Sequence, residues 1–349
     1  MKKYIIIFLL AVCCTILKQT PEIFELPEIQ EPYNIFSDGE RLFIVDLDEY
    51  NVHTYSTKPF RYHFCFGKKG EAPGEFKYPP SIQFFNDTII AMSSNKTSWF
   101  TRDGKLLKDK RYDDFENFTT HMEMQLMPIN ENYVQVIVDH DLSKKYIYLL
   151  NSEFHRMKIL YEGLYDWNQV HPELENFRML HYQIDVTTYK DKIYISDSHK
   201  GFYLEVFSHT GDHLFTINKN NEIGRVTVTE DYKQKALYDL QTKRKWIYDT
   251  LKKDVYSFYE FFPPIRYYHI SDDKIYITTY KKFDDKHEIV VLNLQGKILN
   301  KYFLKIQSWK YYKFLGELDL YTIHDGTIYE LLKNTNPDKW EMHTINFEK

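Results

Sequence analysis

Cysteine is nearly missing from this chain: three in 349 residues, with Cys13 and Cys14 adjacent and Cys65 alone in the remainder. A disulfide-stapled scaffold is thereby excluded, because Cys65 has no partner beyond the amino-terminal segment. The expectation for Cys65 is a small buried hydrophobe in a strand. Glycine and proline are also sparse, twelve each, which rules out collagen-like and low-complexity chains. No apolar run reaches the ~20 residues that a membrane-spanning helix needs. Apart from Lys243-Arg244-Lys245 there is no basic run, and the formal net charge is −5. A mildly acidic chain of this kind is a poor nucleic-acid binder. Neither a Gly-x-Ser-x-Gly elbow nor a phosphate-cradling glycine loop is present.

Aromatic residues are what the chain has in excess: 30 Tyr and 25 Phe bring the aromatic share to 17%. Such side chains favour pleated surfaces, so the composition points to β structure. Residues 1–14 read as an export leader, with Lys2-Lys3 followed by the apolar run Tyr4–Val12. Leu10-Ala11-Val12-Cys13 resembles a bacterial lipobox, with Val12 where such sites prefer Gly or Ala. The resemblance implies lipidation of Cys13, with Cys14 as the alternative, and residues 15–349 are left as one domain.

A pattern recurs along that body. A polar turn often carrying Asp leads into an alternating strand, then come a second strand, a turn and a third. Ser37-Asp38-Gly39 precedes Arg41–Asp46, Lys190-Asp191-Lys192 precedes Ile193–Asp197, and Asp272-Asp273-Lys274 precedes Ile275–Thr279. Units of several strands at regular spacing indicate propeller blades, and blades of ~40–50 residues give six copies here. One stretch departs from the pattern. Residues 229–253 carry a helical stripe of Tyr232, Ala236, Leu240, Ile247 and Leu251. Thr227 and Glu230 stand at capping-box spacing, and Phe261-Phe262-Pro263-Pro264 ends the insertion. The expected role is a helix packed across a blade edge; the alternative is a lid or docking element.

Between the first two copies lies Gly67-x-x-Gly70-x-x-Pro73-Gly74-Glu75-Phe76, followed by Pro79. This motif resembles the turn of NHL-type repeats, and the chain looks like the six-bladed NHL- or TolB-like propeller lipoproteins of Bacteroidetes and related bacteria. The resemblance implies an all-β, six-bladed β-propeller, exported to the cell envelope as an outer-membrane lipoprotein or as a periplasmic or secreted protein. It assigns Gly67, Gly70, Pro73, Gly74, Glu75, Phe76 and Pro79 a structural role and supplies no catalytic residue.

Candidates for chemistry are thin. The histidines are scattered, and His209-x-x-x-His213 has a spacing some zinc sites use without the accompanying ligands. Asp46-Leu47-Asp48 and Asp139-His140-Asp141 lack the grammar of a calcium loop and read as turn formers. Asn86, Asn95 and Asn117 open glycosylation-type tripeptides of no expected consequence. No catalytic, cofactor or metal residue is therefore assigned. Propeller enzymes can gather metal ligands from different blades, so spacing leaves a channel calcium or zinc open. The function expected is a non-enzymatic binding or scaffold module for a protein, peptide or glycan. The alternatives are a channel-metal hydrolase or lyase and a structural subunit of an envelope complex.

Overall fold

The computed structural model describes residues 21–93, 96–111, 125–139, 143–165, 177–178, 182–243, 245–250, 256–308, 320–334 and 339–348. Six four-stranded antiparallel sheets make a six-bladed β-propeller, each blade running from an inner strand to an outer one. Blade 1 comprises Pro32–Ser37, Arg41–Asp46, Val52–Thr57 and Phe60–Phe66. Blade 2 follows with Ser81–Phe85, Thr88–Ser93, Lys96–Thr101 and Leu106–Arg111. Blade 3 is Gln125–Ile129, Asn132–Asp139, Lys144–Leu150 and Arg156–Leu164, and blade 4 is Ile184–Tyr189, Lys192–Asp197, Tyr203–Ser208 and His213–Asn218. Blade 5 has Tyr267–Ser271, Lys274–Phe283, Lys286–Asn293 and Ile298–Leu304.

Blade 6 takes three strands from the carboxyl end, Tyr321–His324, Thr327–Asn334 and Lys339–Asn346, and its outer strand, Glu22–Glu25, from the amino end. This closure joins the two ends of the chain and was not read from the repeats. Phe24 stacks on Phe60 of blade 1 at 4.4 Å, and Leu26, fully buried, donates its N–H to the Trp340 carbonyl. The strands that follow the Asp-bearing turns are the second strands of their blades; each repeat begins one strand earlier, with the inner strand. The inner strands hide from a turn-first reading because they follow connections of very different length.

The turns between inner and second strands explain why Asp and Asn recur there. Asn86, Asn130, Lys190, Asp272, Asp273 and Asp325 all take positive φ, the conformation that two-residue hairpin turns demand. Second strands are buried on both faces; Leu42–Asp46 and Ile193–Asp197 are buried throughout. That burial accounts for runs such as Leu-Phe-Ile-Val and Ile-Tyr-Ile in place of strict alternation. Six apolar clusters fill the six interfaces between blades, for instance Ile44, Tyr55, Tyr329 and Leu331 between blades 6 and 1. Outer strands instead show solvent on one side, as the exposed Leu107, Met157, Ile159 and Leu214 do. Cys65 stands on such a strand and is exposed, contrary to the buried position expected of it. The outermost strand of a blade lacks a fifth strand to cover its far edge.

The helical insertion falls between blades 4 and 5 as α1 (Glu230–Lys243) and α2 (Lys245–Thr250). Its cap is Thr229, which accepts the Tyr232 N–H at 3.2 Å through its hydroxyl. Thr227 instead bridges to Phe261 in an extended pairing, so the capping box at Thr227 and Glu230 does not form. Tyr232, Ala236 and Leu240 pack with Val228 and Phe262, and Phe262 stacks on Tyr280 of blade 5 at 4.4 Å. Leu251 lies outside the described residues, as do Cys13 and Cys14.

Candidate functional site

Antiparallel order gives the propeller two unlike ends. One end carries the short turns from inner to second strand and from third to outer strand. The other carries every connection from second to third strand and every crossover to the next blade. At this open end lie residues 67–80, the insertion at 219–266 and the longest hairpin, whose strands Lys274–Phe283 and Lys286–Asn293 project past their neighbours.

The crossovers are held by a device that repeats around the ring. Near the open end of the second strand, an acid or hydroxyl takes hydrogen bonds from the segment entering its own blade. Asp46 Oδ2 accepts the N–H groups of Gln30 and Glu31 at 2.7 and 3.1 Å, while its Oδ1 accepts that of Asp48. Ser93 Oγ accepts from Tyr78 N–H at 2.9 Å and donates to the Tyr78 carbonyl. Ser198 does the same with Gln183, and Glu330 Oε1 accepts from Ser308 N–H at 2.5 Å. Burial pushes the Glu330 carboxyl up, and the Ser308 hydrogen bonds only partly offset that. Sequence reasoning took Asp46-Leu47-Asp48 as a turn former and missed its reach across sixteen residues. A visible signal was the Asp that ends the apolar run Arg41–Asp46.

The crossover from blade 1 to blade 2 contains Gly67, Gly70, Pro73, Gly74, Glu75, Phe76 and Pro79. Gly67 and Gly74 take φ +72 and +76, and a Cβ on Gly67 would collide with the Phe76 ring. Phe76 is fully buried and bonds by its N–H to the Lys68 carbonyl at 2.8 Å. Glu75 folds back to accept the Ala72 N–H and pairs with Lys68 at 3.1 Å, which holds its carboxyl below the usual range. The loop spends its polar groups on itself and on Lys96 and Asp109 of blade 2.

Chemistry-bearing side chains come together most at the open end of blade 4. Asp197, 4% exposed, accepts the Tyr161 hydroxyl at 2.6 Å on one oxygen and faces His199 Nδ1 at 3.1 Å with the other. Burial pushes this carboxyl up, and the His199 and Tyr161 hydrogen bonds outweigh it, leaving Asp197 below its ordinary value. The His199 ring meets Tyr182 edge-on at 5.5 Å, and Tyr182 stacks on Tyr259 at 4.3 Å. The Tyr182 hydroxyl donates to the Phe261 carbonyl, fastening the end of the insertion to the blade. Arg266, buried, lies 5.2 Å from the Tyr280 ring under α1. Asp197 thus fixes the imidazole against the paired tyrosines at this end.

Elsewhere the candidates disperse. His209 and His213 flank the turn at the opposite end of blade 4, where His213 Nε2 pairs with the Thr216 hydroxyl at 3.2 Å. Asp139 ends a second strand, while His140, Asp141, Asn95 and Asn117 lie outside the described residues; Asn86 is a turn residue with φ 51. Among the described residues, no three His, Cys, Asp or Glu side chains group so as to hold a metal ion. No described helix is long and apolar enough to cross a membrane.

The chain matches no protein-family model and no curated protein. Its likeness is to solved structures. A Bacteroides fragilis protein named for its expected export is 14% identical, with a TM-score of 0.51 over 94% of this chain and 95% of that one. A luciferin-regenerating enzyme is 9% identical at TM-score 0.45, covering 94% of this chain and 96% of that one. The WD40 domain of Pan2 from Neurospora crassa is 10% identical at 0.40, with 94% and 96% covered. The latter two are too distant to carry an argument. What the first shares with this chain is the fold.

Proposed function

We propose that the protein is an exported, lipid-anchored β-propeller whose open end binds a protein, peptide or glycan without transforming it. The observation that carries the proposal is the asymmetry of the two ends. Long connections, both helices and the Asp197–His199–Tyr182 cluster share one end, while the other is finished in tight turns. Loops on a rigid scaffold are where recognition resides. The outer strand Glu22–Glu25 runs antiparallel to Lys339–Asn346, so the chain enters blade 6 from the turn end. From a lipidated Cys13 or Cys14, the linker to Glu22 reaches at most ~30 Å. A tether attached there directs the open end away from the membrane.

The anchor is tested by labelled palmitate on Cys13→Ser, Cys14→Ser and the double variant, the last of which should take up no label. Recognition is tested by a photo-crosslinking residue placed at Tyr238, exposed on α1, or at Asp284 in the projecting hairpin, with Asp191 at the turn end as control. Envelope adducts from the first two positions support the reading. Adducts from Asp191 alone, or from none of the three, would overturn it.

A further inference from the structure

Four consecutive blades share one irregularity at the turn end. In the outer strands of blades 2 to 5 the pairing skips the second residue, so Leu107, Met157, Leu214 and Leu299 each stand at a β-bulge. A bulge leaves its extra residue unpaired and bends the strand there. All four side chains are about half exposed, from 46% at Leu214 to 57% at Leu107. The outer strand of blade 6 pairs without a shift, yet its second residue is Ile23, 53% exposed. In blade 1 the shift falls later, at His63; the second place holds Arg61, with the exposed Tyr62 beside it. A single exposed leucine needs no explanation, and sheet edges are ordinarily guarded by charge, lysine above all. Five aliphatic side chains at one strand position around one rim are a repeated placement. Cations stand next to them: Lys105 and Lys297 just before their strands and Arg156 at the start of its own, all exposed.

We propose that the rim of the turn end seats on a zwitterionic lipid bilayer, with Ile23, Leu107, Met157, Leu214 and Leu299 entering its interface. The occupant follows from where the tether joins. Ile23 is itself one of the five, and the chain from a lipidated Cys13 or Cys14 enters its strand from the turn end, within ~30 Å of the membrane. The proposal rests on that anchor, which brings the rim to the bilayer and leaves its orientation to the protein surface. Apolar side chains at a membrane surface reach about 5–10 Å into the headgroup boundary, while Lys105, Arg156 and Lys297 are long enough to reach lipid phosphates. Inside the ring, the turns from inner to second strand carry Asp38, Glu40, Asp87, Asp191, Asp272 and Asp273. These acids disfavour a strongly anionic surface and suit the ammonium groups of phosphatidylethanolamine.

The test places the full-length protein, recovered from membranes, in vesicles of phosphatidylethanolamine and phosphatidylcholine that carry a photoreactive diazirine on the acyl chain. After illumination, lipid adducts are mapped by peptide mass spectrometry. Peptides holding Leu107, Met157, Leu214 and Leu299 should be labelled about tenfold more than those holding Tyr238 and Phe283, the preference that burial of a few methylenes confers. Tyr238 and Phe283 are exposed as well, but at the open end. Joint Leu107→Gln, Met157→Gln, Leu214→Gln and Leu299→Gln should abolish the difference with the fold intact by circular dichroism. Should that variant fail to fold, the wild-type map decides. Palmitate uptake reports the anchor separately. Uptake with adducts confined to residues before Glu22 would leave the anchor standing and overturn the seating. Adducts at the rim without uptake would support the seating and overturn the anchor alone. Equal labelling at Tyr238 and Phe283 would also overturn the seating. So would a dimer in solution that the four substitutions dissolve, because a second copy would then cover the rim.

Discussion

At Gly67 a single hydrogen does what no side chain could. The residue sits at positive φ with the Phe76 ring against it, so Gly67→Ala meets backbone strain and a collision together. A loss of about 2–4 kcal/mol in chemical denaturation is expected. At Gly74 the nearest atom to an added Cβ is 3.5 Å away, leaving only the strain, about 1 kcal/mol. Equal losses at the two glycines would count against this ranking. Glu330 concerns pH. Its folded pKa is raised, so the unfolded chain releases this proton first as pH climbs through the ordinary glutamate value of 4.5. Folding is thus penalised progressively above that pH until the folded group also ionises. Glu330→Gln keeps an acceptor for Ser308 and should flatten this loss in melting curves taken from pH 4 to 8. His269 works in the other direction: burial, with His324 nearby, pushes it down to about 4. Below pH 6.5 the unfolded chain binds its proton first, and stability falls until about pH 4. His269→Asn should remove that acid limb.

Among the elements, the four-residue strand Glu22–Glu25 carries more than its length suggests. It fills the outer place of blade 6 and leads to Leu26 and Ile29, both buried at the interface with blade 1. Leu26→Ala should cost about 2–5 kcal/mol and speed proteolysis at both chain ends together, because they share one blade. Cleavage at one end alone would show that the closure is weaker than its packing implies. The insertion is local by contrast. Thr229→Ala removes one cap bond and should cost about 1 kcal/mol, read as faster hydrogen exchange in α1 with the blades unchanged. The stripe at Tyr232, Ala236 and Leu240 was legible because a period of 3.6 stands out against strands. The cap was misplaced by two residues because Thr227 had a competing extended partner in Phe261.

For the whole molecule, function rests on how six blades share out their loops. The turn end is assembled from hairpins that sequence spacing specifies directly. The open end gathers segments far apart in the chain: Tyr161 and Asp197, Tyr182 and Phe261, Tyr268 and Asp185. No spacing rule announces those pairs, since each depends on neighbouring blades meeting at a fixed angle.

The sequence by itself determined the fold class, the blade count, the helical insertion and the joint at Gly67–Pro79. Each is written in local chemistry: alternation, turn residues needing positive φ, a helical period and a buried aromatic after a glycine turn. Tertiary structure alone decided that the amino-terminal strand completes the last blade, and that Asp46, Ser93, Ser198 and Glu330 clamp incoming chain. It also decided that Cys65 lies open to solvent. These outcomes depend on which edge of a sheet is left uncovered and which distant segments a closed ring brings together. Both are properties of closure, and local pattern does not carry them.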